Sequence, residues 1–295
     1  MPNIKITVIV NKEASKARSF AIENLKRLLN QLEFTGEVYF TKPKKLENLI
    51  KEVIKKNPDV LLIGGGDGTV RTAAQIISGS SISLAIWPIG TFNHFAKTLD
   101  LPSDFEELLN LIKNNKTVHI DLGSVNNFVF VNNSSIGLYS KLVREREKYT
   151  QIFVKRKIWK IILNITNFFS FLPNYHLNLK INNLIKDYKT YLIFIGNKFY
   201  KINSTNFGQR ESLREGKLSI YILKCKSKWE MIKLIFHIIF KNQNLNEYLE
   251  LFMIEEATIF SRSKRVNVVL DGELYKITAP LKYSIKPGFL SVIVK

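Results

Sequence analysis

The chain of 295 residues carries one cysteine, no long uninterrupted apolar run and far fewer acids than bases. A single thiol, Cys225, excludes an internal disulfide framework and any multi-cysteine metal centre, so a reducing, cytoplasmic compartment is the simplest setting. The start, MPNIKITVIVNKEAS, has charge inside its apolar stretch and no small-residue cleavage site, and it reads as a first strand and not as a signal peptide. The longest apolar region, IWKIILNITNFFSFL (158–172), is broken by Lys160, Asn164 and Asn167. It is too short and too polar to span a bilayer, and is expected as a buried helix or a surface that dips into lipid. Twenty-five acids against 44 Lys and Arg leave a formal charge of +19, which favours an anionic partner. Nucleic acid, an acidic membrane surface and phosphate-rich ligands all fit that charge. No internal repeat and no low-complexity linker are visible.

What the chain does contain is alternation. KITVIV (5–10), EVYFT (37–41), DVLLIGG (59–65) and SLAIWPIG (83–90) read as strands. Helical patterns at 19–32, 44–56 and 70–79 separate them. Such spacing predicts a parallel sheet covered by helices on both faces, with ligands outside the carboxyl ends of its strands. After Asp121 strand-like segments dominate, at 128–135, 176–182, 190–197, 217–224, 265–272 and 290–295, with helical patterns at 139–172 and 228–241. The expectation is an α/β domain over 1–125 and a β-rich domain over 126–295. Pro280 and Pro287 are expected to bracket a late turn.

Glycine is sparse, 14 in all, and four of them stand in LLIGGGDGTV (61–70). Gly64, Gly65, Gly66 and Gly68 free the backbone to approach an anion. Asp67 among them conflicts with a bare phosphate, because two negative groups repel. The turn lacks the GK[ST] of a Walker A loop and the GxGxxG of a dinucleotide fingerprint. An aspartate is reconciled with phosphate if Mg²⁺ stands between them or if the carboxylate takes a proton from an attacking hydroxyl. The loop is therefore a candidate nucleotide-polyphosphate site for phosphoryl transfer, with a simple helix cap by Asp67 as the alternative.

A second glycine turn, PIGTFNHFAK (88–97), offers Thr91 and Asn93 at the next strand end, as ligand groups or as caps. Far downstream, VVLDGELYK (268–276) places Asp271 and Glu273 around a glycine. One of these acids could serve as general base while the other orients the nucleophile or helps hold Mg²⁺; a hairpin with two solvated acids is the alternative.

The ordered set GGGDGT, PIGTFNHFAK, IDLGSVNNFVFVNNSSIGLY and LDGE resembles the diacylglycerol kinase catalytic-domain family, which includes bacterial lipid kinases and is related to sphingosine and ceramide kinases. The resemblance implies an ATP-binding α/β domain, a β-sandwich domain, and Mg²⁺-dependent phosphorylation of a lipid hydroxyl in a cleft between them. Diacylglycerol or a related lipid is the implied acceptor. It places the nucleotide loop on Gly64, Gly65, Gly66, Asp67, Gly68 and Thr69, with Thr91, Asn93, Asn11 and Thr41 also near the nucleotide. It places the proton acceptor among Asp271 and Glu273, with Asp67 also catalytic. A structural Mg²⁺ loop falls on Ser212, Glu215 and Lys217, the outer two through carbonyls. Three positions depart from the pattern: NKEAS (11–15) stands for N-P-x-S-G, His94 for an aspartate, and Glu215 for the more usual aspartate. His94 reads as the mark of a subfamily. NAD kinase, which also uses a GGDG loop, and a membrane- or nucleic-acid-binding module without turnover are the rivals. GTFNHFA and LDGE stand against the first, and the intact acids against the second. No nucleic-acid partner is expected. An anionic membrane surface is, through Lys141, Arg144, Arg146, Lys148, Lys155, Arg156, Lys157 and Lys160 beside the run 158–172; a homodimer stays open.

Overall fold

Apolar runs such as ITVIV and VLLI bury both faces only inside a helix-covered sheet, and the first strands of the computed structural model are built that way. The structure describes residues 4–17, 20–114, 116–144, 175–203, 206–210, 214–225, 227, 229–231, 234 and 248–295. It falls into two units: Met1–Leu122 with Phe128–Val131 and Lys286–Lys295, and Gly123–Asn127 with Asn132–Ile285.

The first unit contains β1 (Lys5–Asn11), α1 (Ile22–Gln31), β2 (Thr35–Thr41), α2 (Pro43–Val53), β3 (Val60–Gly65) and α3 (Asp67–Ile77). It continues with β4 (Ser83–Pro88), α4 (His94–Thr98), α5 (Phe105–Lys113), β5 (Thr117–Val125) and β6 (Phe128–Phe130). Strands β1 to β4 are parallel, in the order β2-β1-β3-β4, with Ile6 opposite Val60 and Val60 opposite Ser83. Ile6, Val8 and Val10, with Leu62 and Trp87, pack under Leu25 and Leu29 of α1 and Phe105, Leu108 and Ile112 of α5. The intervening residues Ile9, Leu61, Ile63 and Ile86 are as fully buried, as are Leu46 and Ile50 of α2 and Ala73 and Ala74 of α3. Trp87 sits between the rings of Phe20 and Phe105, at 4.4 and 4.6 Å, and donates its indole N–H to Ser103 O at 2.8 Å.

The second unit is antiparallel. Its elements are β7 (Asn133–Gly137), α6 (Leu138–Arg144), β8 (Tyr175–Ile181), β9 (Leu184–Thr190), β10 (Leu192–Gly196), β11 (Tyr200–Asn203) and β12 (Asn206–Arg210). They are followed by β13 (Leu218–Leu223), β14 (Leu249–Ile254), β15 (Glu256–Ser261), β16 (Arg265–Leu270), β17 (Glu273–Thr278) and β18 (Leu281–Ile293). One sheet runs β14-β13-β10-β7-β16-β17, and β15, β8 and β9 continue from the first half of β18. The last half of β18 belongs to the first unit, where Val292 lies parallel to Leu84.

The α/β and β-rich expectation is borne out, with local corrections. The third helix begins at Asp67 and not at Val70, and ends at Ile77. The segment 128–135 is two strands, β6 and β7, separated by a bend. Pro287 does not close a turn but lies within β18, beside Gly288 in the left-handed region (φ 59°). Of the pattern 139–172 only α6 is described; the run 158–172, most of the basic cluster from Arg146 to Lys160, Ser212 and most of 228–241 lie outside the described residues. Among the described residues no helix is long and apolar enough to cross a membrane.

Candidate active site

Parallel strands deliver their ends to one edge, where Asn11 ends β1, Thr41 ends β2, the glycine turn follows β3 and Thr91–Asn93 follow β4. Gly64 and Gly65 end β3, and Gly66 is the extended residue before α3, with φ −97° and ψ −175°. A side chain on Gly65 would collide with Thr69, its Cβ falling 2.6 Å from the Thr69 Cβ and Oγ1. At Gly66 an added Cβ meets only the Gly90 Cα at 3.6 Å, whereas one on Gly90 would lie 2.4 Å from the Gly66 Cα. The two glycine turns thus touch backbone to backbone. Asp67, Gly68 and Thr69 form the first turn of α3, whose N–H groups have no carbonyl within the helix to donate to. Free helix N-terminal N–H groups beside the open space at Gly66 are chemically suited to receive anionic oxygens.

Asp67 does not cap its own helix. Its Oδ2 accepts the N–H of His94 at 3.1 Å and its Oδ1 that of Phe95 at 3.0 Å, so it caps α4 and fastens the second turn to the first. Asn93, in the left-handed region (φ 51°), donates its amide to Pro88 O at 3.0 Å and Gly90 O at 2.8 Å. Its Oδ1 is buried beside Gly90 and has no hydrogen-bond partner among the described residues. Asn11 donates to Thr69 Oγ1 at 3.0 Å, and the Lys12 N–H donates to Thr41 O at 2.8 Å, which ties the loops after β1, β2 and β3 together. Asn11, Thr41 and Thr69 are buried; Thr91 is exposed.

In the second unit Asp271 and Gly272 form the two-residue turn between β16 and β17, with φ 48° and 88°, as the Asp-Gly pair of a tight hairpin requires. Asp271 is more than a solvated turn residue. Its Oδ1 accepts the N–H groups of Asn132 at 2.7 Å and Asn133 at 3.0 Å, while its own N–H donates to Asn133 O at 2.9 Å. Glu273 is exposed, and its Oε2 accepts the Tyr275 hydroxyl at 2.7 Å. The pairings Ser219 with Gly196, Gly196 with Asn133 and Ser134 with Leu270 bring Lys217, Asn132 and Asp271 to the same end of one sheet. Glu215 precedes that end and is half-buried. Sequence reasoning missed Asn132 and Asn133 as the holders of Asp271. Their only signal was an asparagine pair breaking an apolar strand.

Among the described residues no group of three or more His, Cys, Asp or Glu is placed to hold a metal ion. Burial raises the Cys225 thiol to about 11, which makes it a packing residue and not a nucleophile.

These features define a class: a helix-covered parallel sheet with paired glycine turns at its carboxyl edge, joined to an antiparallel unit with an LDGE turn. Comparison adds that residues 5–125 match the model of the diacylglycerol kinase catalytic domain. The likeness to that family expected from the motifs is thus borne out over that segment. A Klebsiella pneumoniae protein named "Probable lipid kinase YegS-like" is 33% identical over 99 residues, which cover 32% of this chain and 33% of that protein. A diacylglycerol kinase of Staphylococcus haemolyticus is 31% identical over 97 residues, covering 32% and 29%. The chain thus spans about a third of the length of the curated relatives it matches. The crystal structure of a Bacillus anthracis diacylglycerol kinase superposes with a TM-score of 0.69 over 100% of this chain and 98% of that one, at 17% identity, a likeness of fold.

Proposed function

We propose that the protein is an ATP-dependent lipid kinase that phosphorylates the hydroxyl of diacylglycerol or a related lipid. The observation that carries the reading is the fastening of the two glycine turns by Asp67, which brings the α3 N-terminus and the open face of Gly66 together at one strand edge. Residues 1–125 would bind the nucleotide and 126–295 the lipid, with transfer between the two. Gly64 to Thr69 cradle the phosphates, Thr91 and Asn93 form the second turn on the ATP side, and Asn11 and Thr41 lie near the nucleotide. Mg²⁺ would supply charge neutralisation on the phosphates when bound, and Asp67 is the carboxylate of the glycine turn that would help hold it. Ser212, Glu215 and Lys217 remain the proposed structural metal loop.

Asp271 is assigned the acceptor proton. Phosphoryl transfer through a loose transition state needs an oriented acceptor more than a strong base, and two backbone N–H groups fix the Asp271 carboxylate. Glu273 supports it from the hairpin. The protein works in the cytoplasm, peripherally on an anionic membrane, as the +19 charge favours.

The test is transfer of the ATP γ-phosphate to a panel of diacylglycerol, phosphatidylglycerol and a sphingoid base in mixed micelles, with NAD as a further acceptor. A phosphorylated lipid supports the proposal. Phosphorylated NAD with no lipid product, or no transfer at all, contradicts it.

A further inference from the structure

The second glycine turn carries an exposed aromatic side chain. Phe92 lies between Thr91 and Asn93 and is 52% exposed, while Phe95, three residues on, is fully buried. Its ring is parallel to that of His94, at an interplanar angle of 3° and a centroid distance of 5.7 Å. His94 is in turn fastened through its backbone N–H to Asp67. A phenyl ring is therefore held at the solvent side of the phosphate turn by the same carboxylate that joins the two turns.

The strand order says which end of the nucleotide this ring is near. With β2-β1-β3-β4 spaced at about 4.8 Å per strand, the Thr41 end of the edge lies about 14 Å from the β4 end. If Thr41 and Asn11 border the nucleoside and the α3 N-terminus holds the phosphates, the phosphate chain runs from β2 towards β4. In-line transfer requires the acceptor oxygen to enter opposite the departing ADP, hence from the β4 side. There the acceptor's oxygen displaces ADP from the γ-phosphorus while its proton passes to a carboxylate. Among the described residues, Phe92 is a large apolar side chain exposed on that turn.

We infer that Phe92, stacked on His94, is a contact for the lipid acceptor, packing against the apolar carbons next to the reacting hydroxyl and setting lipid affinity without touching the nucleotide. The inference rests on the lipid-kinase reading above. It concerns only which substrate this ring serves.

The test compares wild type, Phe92→Ala and Phe92→Leu, using dioctanoylglycerol in detergent micelles as acceptor and a fluorescent ATP analogue for nucleotide binding. Phe92→Ala is expected to raise the KM for the lipid by about 5-fold or more with kcat changed less, and Phe92→Leu to recover most of the loss, because apolar area is what the contact supplies. Affinity for the nucleotide analogue is expected to stay within about 2-fold in both variants. A weakened nucleotide affinity in Phe92→Ala would place the ring against the base and overturn the inference, as would an unchanged lipid KM. Either result leaves the kinase reading standing if wild type is active. A wild type that phosphorylates no lipid overturns both.

Discussion

Asp67 shows how one side chain answers a conflict posed by its neighbours. Among glycines that invite phosphate it looks misplaced, and the structure gives its oxygens to the His94 and Phe95 N–H groups. Asp67→Ala is therefore expected to lower stability by about 1 kcal/mol through the lost cap on α4, in addition to reducing phosphoryl transfer by at least about 10²-fold. Thermal unfolding beside a turnover assay separates the two effects; full activity in a folded variant would remove Asp67 from the site. The glycines divide just as sharply. Gly66→Ala has room and an ordinary φ, so it is expected to fold normally and weaken ATP binding, whereas Gly65→Ala meets Thr69 and is expected to lose stability. Paired calorimetry and ATP titration read both. Cys225 gives a pH prediction. Because its folded value is raised, the unfolded chain loses the thiol proton first, so this residue lowers stability as pH climbs from the ordinary thiol range towards about 11. Cys225→Ala is expected to flatten that fall, measured as denaturation midpoints against pH.

The elements explain what could and could not be read from the chain. The four parallel strands were legible because each is a continuous apolar run bounded by charge or glycine. The glycine turn was legible as a break after β3, but not the start of α3 at Asp67, since a glycine run reads as loop until the helix beyond it is packed. Strands β9 and β17 were hidden because KDYK and LYKI carry exposed polar residues on a hairpin arm, which shows only as pairing with a neighbour. The hold on Asp271 crosses 139 positions to Asn132, a distance no local pattern encodes. That hold yields a prediction for the hairpin. Asp271→Asn keeps an acceptor for the Asn132 and Asn133 N–H groups and tolerates the left-handed backbone, so it is expected to fold normally while lipid phosphorylation falls about 10² to 10⁴-fold. Asp271→Ala removes the acceptor as well and is expected to be the less stable of the two. Equal melting temperatures for Asn and Ala would show that the two hydrogen bonds carry no stability.

At the scale of the whole molecule, the excess of 44 basic over 25 acidic side chains bears on how the proposed lipid kinase would reach its substrate. Binding to phosphatidylglycerol-containing vesicles is expected to exceed binding to neutral ones and to weaken between low and high salt, as screening shortens the reach of charge. Sedimentation with vesicles at two ionic strengths checks this, and indifference to both lipid charge and salt would detach the charge from function. The proposed function gives ATP to the glycine turn and the acceptor proton to Asp271. Its most direct measurement is γ-phosphate transfer from ATP to the lipid panel by wild type and Asp271→Asn side by side, with ATP binding measured on both proteins. The account predicts a phosphorylated lipid from wild type, and from Asp271→Asn a loss of at least about 10²-fold in transfer with ATP affinity retained. Undiminished transfer by the variant, or none by wild type, would contradict it.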